Sequence, residues 1–297
     1  MRILLTGGNG QVGWELQRAL APLGEVIAPC REQFDLSRPE TLRQAILNIK
    51  PHWIVNAAAY TAVDKAEQER DLAFAVNSEA PRVLAETSAE LGVALVHYST
   101  DYVFDGAGHV PFDEQAPVSP LNVYGISKTA GEAAIRAACP EHLIFRTSWI
   151  YGQRGTNFLL AMQRLMHERT ELRIVNDQIG APTWSRHIAG ATALVMIQMA
   201  SSNRRSDRSD CPQLWGTYHL TNGGETSWFG FAEAILKTMA LEMMLEKKPR
   251  LVAISSSDYP VLALRPLNSR LSNAKLEQVF GVRLPDWQVA FSQITEK

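Results

Sequence analysis

Tyr124 and Lys128 are the residues whose types and spacing point most directly to chemistry. They are four positions apart in the segment YGISK, and on a helix this spacing places both side chains on one face, one turn apart. A free phenol has a pKa of about 10, which a nearby ammonium lowers by favouring the phenolate. Such a tyrosine is a general acid or base, a role worth roughly 10²–10⁴ in rate. Because many helices carry this pair by chance, upstream residues must decide whether it is catalytic.

A glycine-rich loop follows the first predicted strand, Arg2–Thr6, and precedes a helical pattern. Its spacing is G-x-x-G-x-x-G: the first glycine allows a tight turn, the second lets the backbone approach a pyrophosphate, and the third lets the helix pack on the strand. Free N–H groups at the helix N-terminus would bind the phosphates. We expect a dinucleotide cofactor here, the alternative being a structural turn. The expected contacts are Gly7, Asn9, Gly10, Gln11, Val12 and Gly13.

The end of the second predicted strand, residues 25–28, bears on the choice of cofactor. An NAD enzyme often has an acid there, which binds the ribose 2′-hydroxyl. In this chain Arg31 follows and could face a 2′-phosphate or be a solvated loop charge. Asp35 could reach the adenine amino group, or cap the helix predicted at Pro39–Ile49 in competition with Ser37. The expected contacts at this end are Cys30, Arg31, Asp35 and Leu36.

Two later strands also end in residues suited to a site. Trp53–Val55 is followed by Asn56 and three alanines, whose small side chains would let a cofactor lie against the backbone or simply permit close packing. Val93–His97 leads into Thr100, and hydroxyls at the carboxyl end of a parallel strand are well placed for catalysis. The alternative for Thr100 is a hydroxyl bonded to the backbone. The three alanines are Ala57, Ala58 and Ala59.

Strands and helices alternate along the first half of the chain, which predicts a Rossmann-type, doubly wound parallel α/β sheet with right-handed crossovers. Beyond Gly152 the pattern loosens and predicts a smaller C-terminal α/β substrate-binding lobe. The predicted dinucleotide-binding domain covers residues 1–150, with returning segments around 185–220. The lobe covers residues 151–184 and 221–297, and residues 201–210 are predicted to be a solvated connector.

Composition excludes several classes of protein. The chain has 297 residues, 46% of them hydrophobic, with a formal net charge of −2, so no basic surface for nucleic acid or an anionic membrane is indicated. The chain has three cysteines, Cys30, Cys139 and Cys211. Their odd number and the lack of a C-x-x-C motif are typical of a protein in a reducing compartment. No apolar run is long enough to span a bilayer and no signal peptide is evident, so we expect a cytoplasmic protein.

The motifs occur in the order found in extended short-chain dehydrogenases/reductases, which the chain resembles over nearly its whole length. These motifs are TGGNGQVG, DL, NAAA, STD, YGISK and RTSWIYG. The phrases STDYVFDG, NVYGISK and LRPLNSRL further resemble the branch of that family that acts in dTDP-L-rhamnose synthesis. The order of the motifs and the C-terminal phrase carry the resemblance.

The resemblance implies NADH- or NADPH-dependent reduction of the 4-keto group of dTDP-4-dehydro-L-rhamnose. The family's triad maps onto Thr100, Tyr124 and Lys128, with Tyr124 donating the proton and Lys128 both lowering its pKa and binding the nicotinamide ribose. The resemblance also implies a homodimer and Mg²⁺, although the sequence names no metal ligand. Members use either nicotinamide cofactor without strict choice, in agreement with the basic residue at position 31.

A substrate diphosphate calls for cations, and Arg265 and Arg270 are the candidates because a guanidinium matches phosphate oxygens. The alternative for both is a surface ion pair. Trp149 could pack on the sugar or belong to the core, and the loop Gln178–Trp184 could line the nucleotide side. The expected substrate contacts are Thr100, Asp101, Tyr124, Trp149 and Arg265.

Two other functions remain open at the level of sequence. A nucleotide-sugar 4-epimerase or dehydratase could have the same scaffold, but a dehydratase usually has an Asp-Glu pair after the threonine, and here Asp101-Tyr102 follows Thr100. A non-catalytic, NADP-binding regulatory subunit is also possible because fold does not fix function. The intact pair of Tyr124 and Lys128 argues against that second alternative.

Overall fold

A six-stranded, fully parallel sheet forms the centre of the protein in the computed structural model, which describes residues 1–202, 214–241 and 247–295. Most of the predicted connector at 201–210 lies outside the described residues. The strand order across the sheet is β10-β5-β4-β3-β1-β2. These strands are β1 (Arg2–Thr6), β2 (Glu25–Ile27), β3 (Trp53–Asn56), β4 (Ala94–Thr100), β5 (His142–Thr147) and β10 (Gly216–His219).

Helices cover both faces of this sheet, because alternate side chains of its strands are apolar on both sides. Ile3 and Leu5 pack with the helices of one face, and Leu4 packs with those of the other. The Rossmann-type doubly wound prediction is therefore confirmed. The first face carries α1 (Gln11–Leu20), α8 (Ser185–Ser202) and α10 (Ala274–Phe280); the second carries α2 (Pro39–Ile49), α5 (Ala80–Leu91) and α6 (Val123–Ala138).

A second apolar core lies in the C-terminal half, where Tyr151, Phe231 and Phe291 pack edge to face. Its elements surround small two-stranded sheets. The division of the chain into a domain and a lobe stays a prediction. The remaining elements are α3 (Val63–Ala66), α4 (Arg70–Phe74), β6 (Ile150–Tyr151), α7 (Phe158–Glu168), β7 (Glu171–Val175), β8 (Ile179–Gly180), β9 (Thr183–Trp184), β11 (Thr226–Ser227), α9 (Trp228–Leu241), β12 (Arg250–Ile254) and α11 (Trp287–Thr295).

The expected N-cap of α2 needs correction. Arg38 precedes α2 and no side chain caps that helix, so neither Asp35 nor Ser37 is its N-cap. Asp35 instead accepts hydrogen bonds from the backbone N–H and the hydroxyl of Ser37, as short acidic side chains do in turns.

Among the described helices, none is both long and apolar enough to cross a membrane.

The first turn of α1 lies against the glycine-rich loop. A Cβ added to Gly13 would be 2.0 Å from the carbonyl oxygen of Gly7, which is far inside van der Waals contact. The loop itself closes with a hydrogen bond from the N–H of Gly10 to the same oxygen, at 2.8 Å. The third glycine of the motif is therefore required for the helix to approach the strand.

We expect Gly13→Ala to destabilise the fold by about 1–3 kcal/mol, because the added methyl group overpacks this contact. Urea unfolding measures the change. Gly190→Ala is the matched control, since Gly190 also lies in a helix but no described atom lies within 4 Å of the added Cβ. That variant should gain up to about 1 kcal/mol in helix propensity. Equal loss in both variants would contradict the role of Gly13.

Candidate active site

The end of β4 and the start of α6 bring Thr100 and Tyr124 together. Asn122 caps α6 by accepting a hydrogen bond from the N–H of Gly125 at 2.8 Å. Gly125 lets this turn approach β4, since an added Cβ would be 2.2 Å from the carbonyl oxygen of Tyr102. As a result, the Tyr124 side chain lies close to Thr100, and its ring meets that of Tyr102 edge-on with centroids 5.6 Å apart.

The phenol of Tyr124 keeps its proton in this setting. Burial raises the pKa of Tyr124 to about 12, and the nearby Thr100 hydroxyl offsets this only in part, while the charge of Asp101 adds to it. The expectation that Lys128 lowers the pKa of Tyr124 is wrong for this arrangement, because the ammonium is bound elsewhere. A protonated phenol is the form that can donate a proton to a substrate oxygen.

Lys128 lies in the interior, with its side chain bound to β4. Its Nζ donates to the carbonyl oxygen of Tyr98 at 2.7 Å and lies 3.1 Å from Nε2 of His97. Only 1% of the residue is exposed, and burial lowers the pKa of Lys128 to about 8, although the charge of Glu132 acts in the opposite direction. The amine can therefore change its charge near neutral pH.

Thr100 and Asp101 form a buried pair at the same edge. The hydroxyl of Thr100 donates to Oδ1 of Asp101 at 3.0 Å and accepts from the N–H of Tyr102 at 3.1 Å. Burial raises the pKa of Asp101 to about 6, against hydrogen bonds from Ser269 and Thr100 that lower it. The backbone-bonding alternative for Thr100 thus holds together with its contact to Tyr124, and Asp101 orients the threonine.

A cavity of about 370 Å³ lies over the glycine-rich loop and the ends of β1, β2 and β3. Its walls are largely backbone and small side chains, which fit a dinucleotide lying along the sheet edge. Gln17 also lines the cavity and donates to the carbonyl oxygen of Gly8 at 2.8 Å, a role that no sequence signal marked. The expected cofactor residues among the lining are Gly7, Asn9, Gly10, Cys30, Arg31, Asp35, Leu36, Ala58 and Ala59.

Six other expected cofactor residues do not line this cavity. Two of them are Tyr124 and Lys128, which lie in α6 near the end of β4, and the other four lie near the glycine-rich loop and β3. Val12 and Ala57 pack in the core cluster under α1, and Gly13 faces the backbone of Gly7. The side chain of Gln11 points to the C-terminal lobe, where its Oε1 accepts from Asn157 at 2.8 Å. Asn157 is a residue that sequence reasoning missed as a link between the lobe and the loop.

The adenosine end of the cavity carries a cation. Arg31 lies 3.4 Å from Asp35, and its side chain is 72% exposed. Burial acts to raise the pKa of Asp35, but hydrogen bonds from Ser37 and the nearby guanidinium outweigh it, so that the pKa is lowered. An exposed ion pair of this kind contributes little to stability, and Arg31 can exchange it for a phosphate.

The two arginines of the C-terminal phrase are both ion-paired. Arg265 binds Oδ2 of Asp64 at 2.6 Å, and its guanidinium lies 6.0 Å from the ring centroid of Tyr102. Arg270 is bound by Glu225 and by Asn268. The structure therefore places Arg265 beside Tyr102, while Arg270 is held by Glu225 and Asn268.

Trp149 has an unusual backbone conformation next to the site. Its φ is 47°, a left-handed value that costs a non-glycine residue about 1–3 kcal/mol. Its ring stacks on that of Trp228 with centroids 3.6 Å apart, and Gly180 leaves room for it. Trp228 Nε1 donates to Gln178 Oε1 at 3.1 Å. Trp228 is therefore a neighbour of the expected site that sequence reasoning missed.

The described ranges contain no group of three or more His, Cys, Asp or Glu side chains able to hold a metal ion. The residues present in those ranges do not fit the expected Mg²⁺, and no catalytic step is assigned to it.

Comparison with known proteins agrees with this geometry. A family model described as the RmlD substrate binding domain matches residues 1–297. The dTDP-4-dehydrorhamnose reductase of Burkholderia thailandensis is 48% identical over 295 residues, covering 98% of this chain and 96% of the relative. The enzyme of that name from Escherichia coli K12 is 44% identical over 298 residues, covering 99% and 97%.

A solved structure extends the likeness to three dimensions. The dTDP-4-dehydrorhamnose reductase of Bacillus anthracis in complex with NADP has a TM-score of 0.86 and 35% identity, and the match covers 99% of this chain and 98% of the other. The family predicted from the motifs is thereby confirmed. This chain belongs to the family described as the RmlD substrate binding domain, whose matching members in these three organisms are named dTDP-4-dehydrorhamnose reductase.

Proposed function

We propose that this chain reduces the 4-keto group of dTDP-4-dehydro-L-rhamnose with NADH or NADPH and so forms dTDP-L-rhamnose, a precursor of cell-surface polysaccharide. The observation that carries the proposal is the meeting of Thr100 and Tyr124 at the edge of β4, with Lys128 beneath them. Thr100 is the last residue of β4. The neighbouring strands β3 and β1 end at the cofactor cavity, on the same edge of the sheet. Ligands of open parallel sheets bind at that edge.

The proton comes from Tyr124. When bound, NADH or NADPH supplies a hydride to C4 of the sugar, and negative charge grows on the ketone oxygen. Tyr124 is the general acid that protonates this oxygen, because its raised pKa keeps the phenol protonated throughout the physiological range. Thr100, which lies beside the same hydroxyl, stabilises the developing charge by turning its hydroxyl hydrogen from Asp101 to the ketone oxygen.

Lys128 is assigned to the ribose of the nicotinamide half. One N–H bond of Lys128 is directed to the carbonyl oxygen of Tyr98, and another would be available for a ribose hydroxyl. As the phenol loses its proton, the lysine charge also favours the phenolate that forms. Lys128 therefore acts on the cofactor and on the product state of Tyr124, and not on its resting pKa.

Arg265 is assigned to the diphosphate of the substrate, and Trp149 to its sugar. Arg265 is 17% exposed and lies beside Tyr102, so a phosphate placed there could replace Asp64 as its partner. Trp149 is held against Trp228 in a strained conformation, as residues that line ligand sites often are. Asp101 contributes to substrate binding only through Thr100.

The alternatives are less well supported. A dehydratase needs a second acid after the threonine for proton transfer at the sugar, and position 102 is a tyrosine with its pKa raised by burial. An epimerase would retain its nicotinamide, so the absence of bound cofactor after purification would argue against one. A regulatory subunit would not need a protonated Tyr124 beside Thr100.

The homodimer and the cytoplasmic location belong to the same proposal and come from the family resemblance. Both cofactors are expected to serve, since the cavity has a cation at its adenosine end but no acid directly after β2. Gel filtration with light scattering, with and without EDTA, tests the dimer and any dependence on a divalent cation together.

We expect Tyr124→Phe to lower kcat by roughly 10²–10⁴, because the general acid is lost. The assay follows cofactor oxidation at 340 nm with dTDP-4-keto-6-deoxy-L-mannose made in situ. NADPH affinity should change little. Tyr259→Phe is the control, since Tyr259 is 52% exposed. Turnover equal to wild type in Tyr124→Phe would refute the mechanism, and no sugar-dependent oxidation by wild type would refute the function.

We expect Arg31→Ala to raise the KM for NADPH about tenfold and to leave the KM for NADH unchanged, because only NADPH has a phosphate for the guanidinium. Initial rates with each cofactor measure the split. Arg38→Ala is the matched control, because Arg38 is an exposed arginine, 4.0 Å from Glu40, that does not line the cavity. A parallel rise for both cofactors would assign Arg31 to the adenine or to loop stability.

We expect Arg265→Met to raise the KM for the sugar nucleotide about tenfold, with kcat less affected, because a diphosphate contact acts in binding. Asp64→Asn should not raise this KM, since it frees the guanidinium. Arg283→Met is the control, an arginine whose ion pair with Glu277 is exposed. If both Arg265→Met and Asp64→Asn weaken binding equally, the ion pair is structural and Arg265 does not bind the diphosphate.

A further inference from the structure

A row of polar side chains crosses the interior of the sheet beneath the candidate site. The strand register pairs Thr6 with Asn56, and Asn56 with His97, on three adjacent strands. Their side chains form a continuous chain: Thr6 Oγ1 donates to Asn56 Oδ1 at 2.6 Å, and Asn56 Nδ2 lies 2.9 Å from His97 Nδ1. His97 Nε2 then reaches Lys128 Nζ at 3.1 Å.

This row replaces the apolar residues that the same face carries elsewhere. Leu4, Ile54 and Leu95 lie two positions earlier on the three strands and belong to the core cluster under α6. Polar groups at such a depth cost stability unless each is hydrogen-bonded. His97 is completely buried, and Asn56 is 1% exposed. Packing alone does not explain a histidine at this position, because a leucine would satisfy the packing more simply.

The hydrogen-bond pattern fixes the imidazole. Because Asn56 Oδ1 accepts from Thr6, its Nδ2 faces His97 and donates to Nδ1. Burial, together with the charge of Lys128, lowers the pKa of His97 well below its usual value, so the ring is neutral. A neutral ring that accepts at Nδ1 has its proton on Nε2, the atom next to Lys128. His97 therefore presents an N–H donor, in one orientation, which the lone pair of the neutral Lys128 amine can accept.

The acidic neighbour of Lys128 cannot do this job. Glu132 lies one turn further along α6, but Arg146 binds both its carboxylate oxygens, at 2.9 and 2.6 Å, and Arg136 binds one at 3.0 Å. The carboxylate is thus already committed to two guanidiniums. The groups that position Lys128 Nζ are the Tyr98 carbonyl oxygen and His97.

We propose that His97 is a positioning residue that acts through Lys128: it fixes the amine below the site and, through Asn56 and Thr6, ties that position to the cofactor cavity. The tie is direct, because Thr6 Oγ1 also accepts from the N–H of Ala58 at 3.3 Å, and both residues line the cavity. This inference rests on the proposed reductase function for its kinetic consequence. Its structural content, a His97-dependent Lys128, stands apart from the identity of the sugar.

A double-mutant cycle tests the proposal, because it separates an effect through Lys128 from a general loss of structure. The variants are His97→Leu, Lys128→Met and both together, each assayed for kcat and for the Kd of NADPH by quenching of tryptophan fluorescence. We expect His97→Leu to weaken NADPH binding about tenfold and to lower kcat about tenfold in the wild-type background. In the Lys128→Met background the same change should alter the Kd less than twofold.

Two further variants keep the outcome interpretable. His97→Gln, whose amide can contact both Asn56 and Lys128, should recover most of the lost affinity and should fold if His97→Leu does not. His219→Leu is the matched control: His219 is equally buried but lies in β10, the edge strand on the far side of β5. It should lower the melting temperature without changing the Kd of NADPH.

The outcomes that test the role of His97 are distinct from those that test the reductase function. A tenfold effect of His97→Leu on Kd in both backgrounds would overturn the proposal, as would failure of His97→Gln to recover affinity when it folds. Because Kd is measured without turnover, the cycle has a result even where Lys128→Met abolishes kcat. Absence of sugar-dependent oxidation by the wild-type protein would refute the reductase function, and the cycle on Kd would still decide the role of His97.

Discussion

The burial of Lys128 is the constraint on which the rest of the site depends. Removing an ammonium from water costs several kcal/mol unless nearby groups replace its hydration. The structure replaces part of it with the carbonyl oxygen of Tyr98, and burial lowers the pKa of Lys128 to about 8, so the charge is easily given up. Strand β4 must therefore place Tyr98 and His97 next to the Lys128 amine. Helix α6 must begin at a point from which its second turn brings Lys128 to them.

The position of α6 is set from both of its ends by polar contacts. Asn122 caps its N-terminus and also donates to the carbonyl oxygen of Leu264, which joins the helix start to the C-terminal segment. Further along, the buried pair of Glu132 and Arg146 binds the helix to β5. Breaking such a pair leaves an uncompensated charge, which typically costs 3–5 kcal/mol. The helix therefore cannot slide along the sheet, and Tyr124 stays against Thr100.

Similar polar contacts join the C-terminal phrase to the candidate site. Leu264 accepts a hydrogen bond from the Asn122 side chain, and Arg265 binds Asp64 of α3. The segment thus joins two elements of the N-terminal half that are distant in sequence. On the other side of the lobe, Asn157 reaches Gln11 at the start of α1. Both halves of the molecule meet at the edge of the sheet where the parallel strands end, and a sugar nucleotide can contact them together.

Sequence by itself determined the parallel sheet, the glycine-rich loop and the pair of Tyr124 and Lys128, because each depends on local periodicity, on glycine geometry or on a spacing of one helical turn. It could not determine what the pair does at rest, since burial acts through neighbours from other strands: desolvation raises the pKa of Tyr124, and His97 and Tyr98 hold Lys128 apart from it. His97, Asn56 and Thr6 are ordinary strand residues in the sequence. Only the register of three parallel strands, fixed by contacts between distant segments, makes them one hydrogen-bonded row.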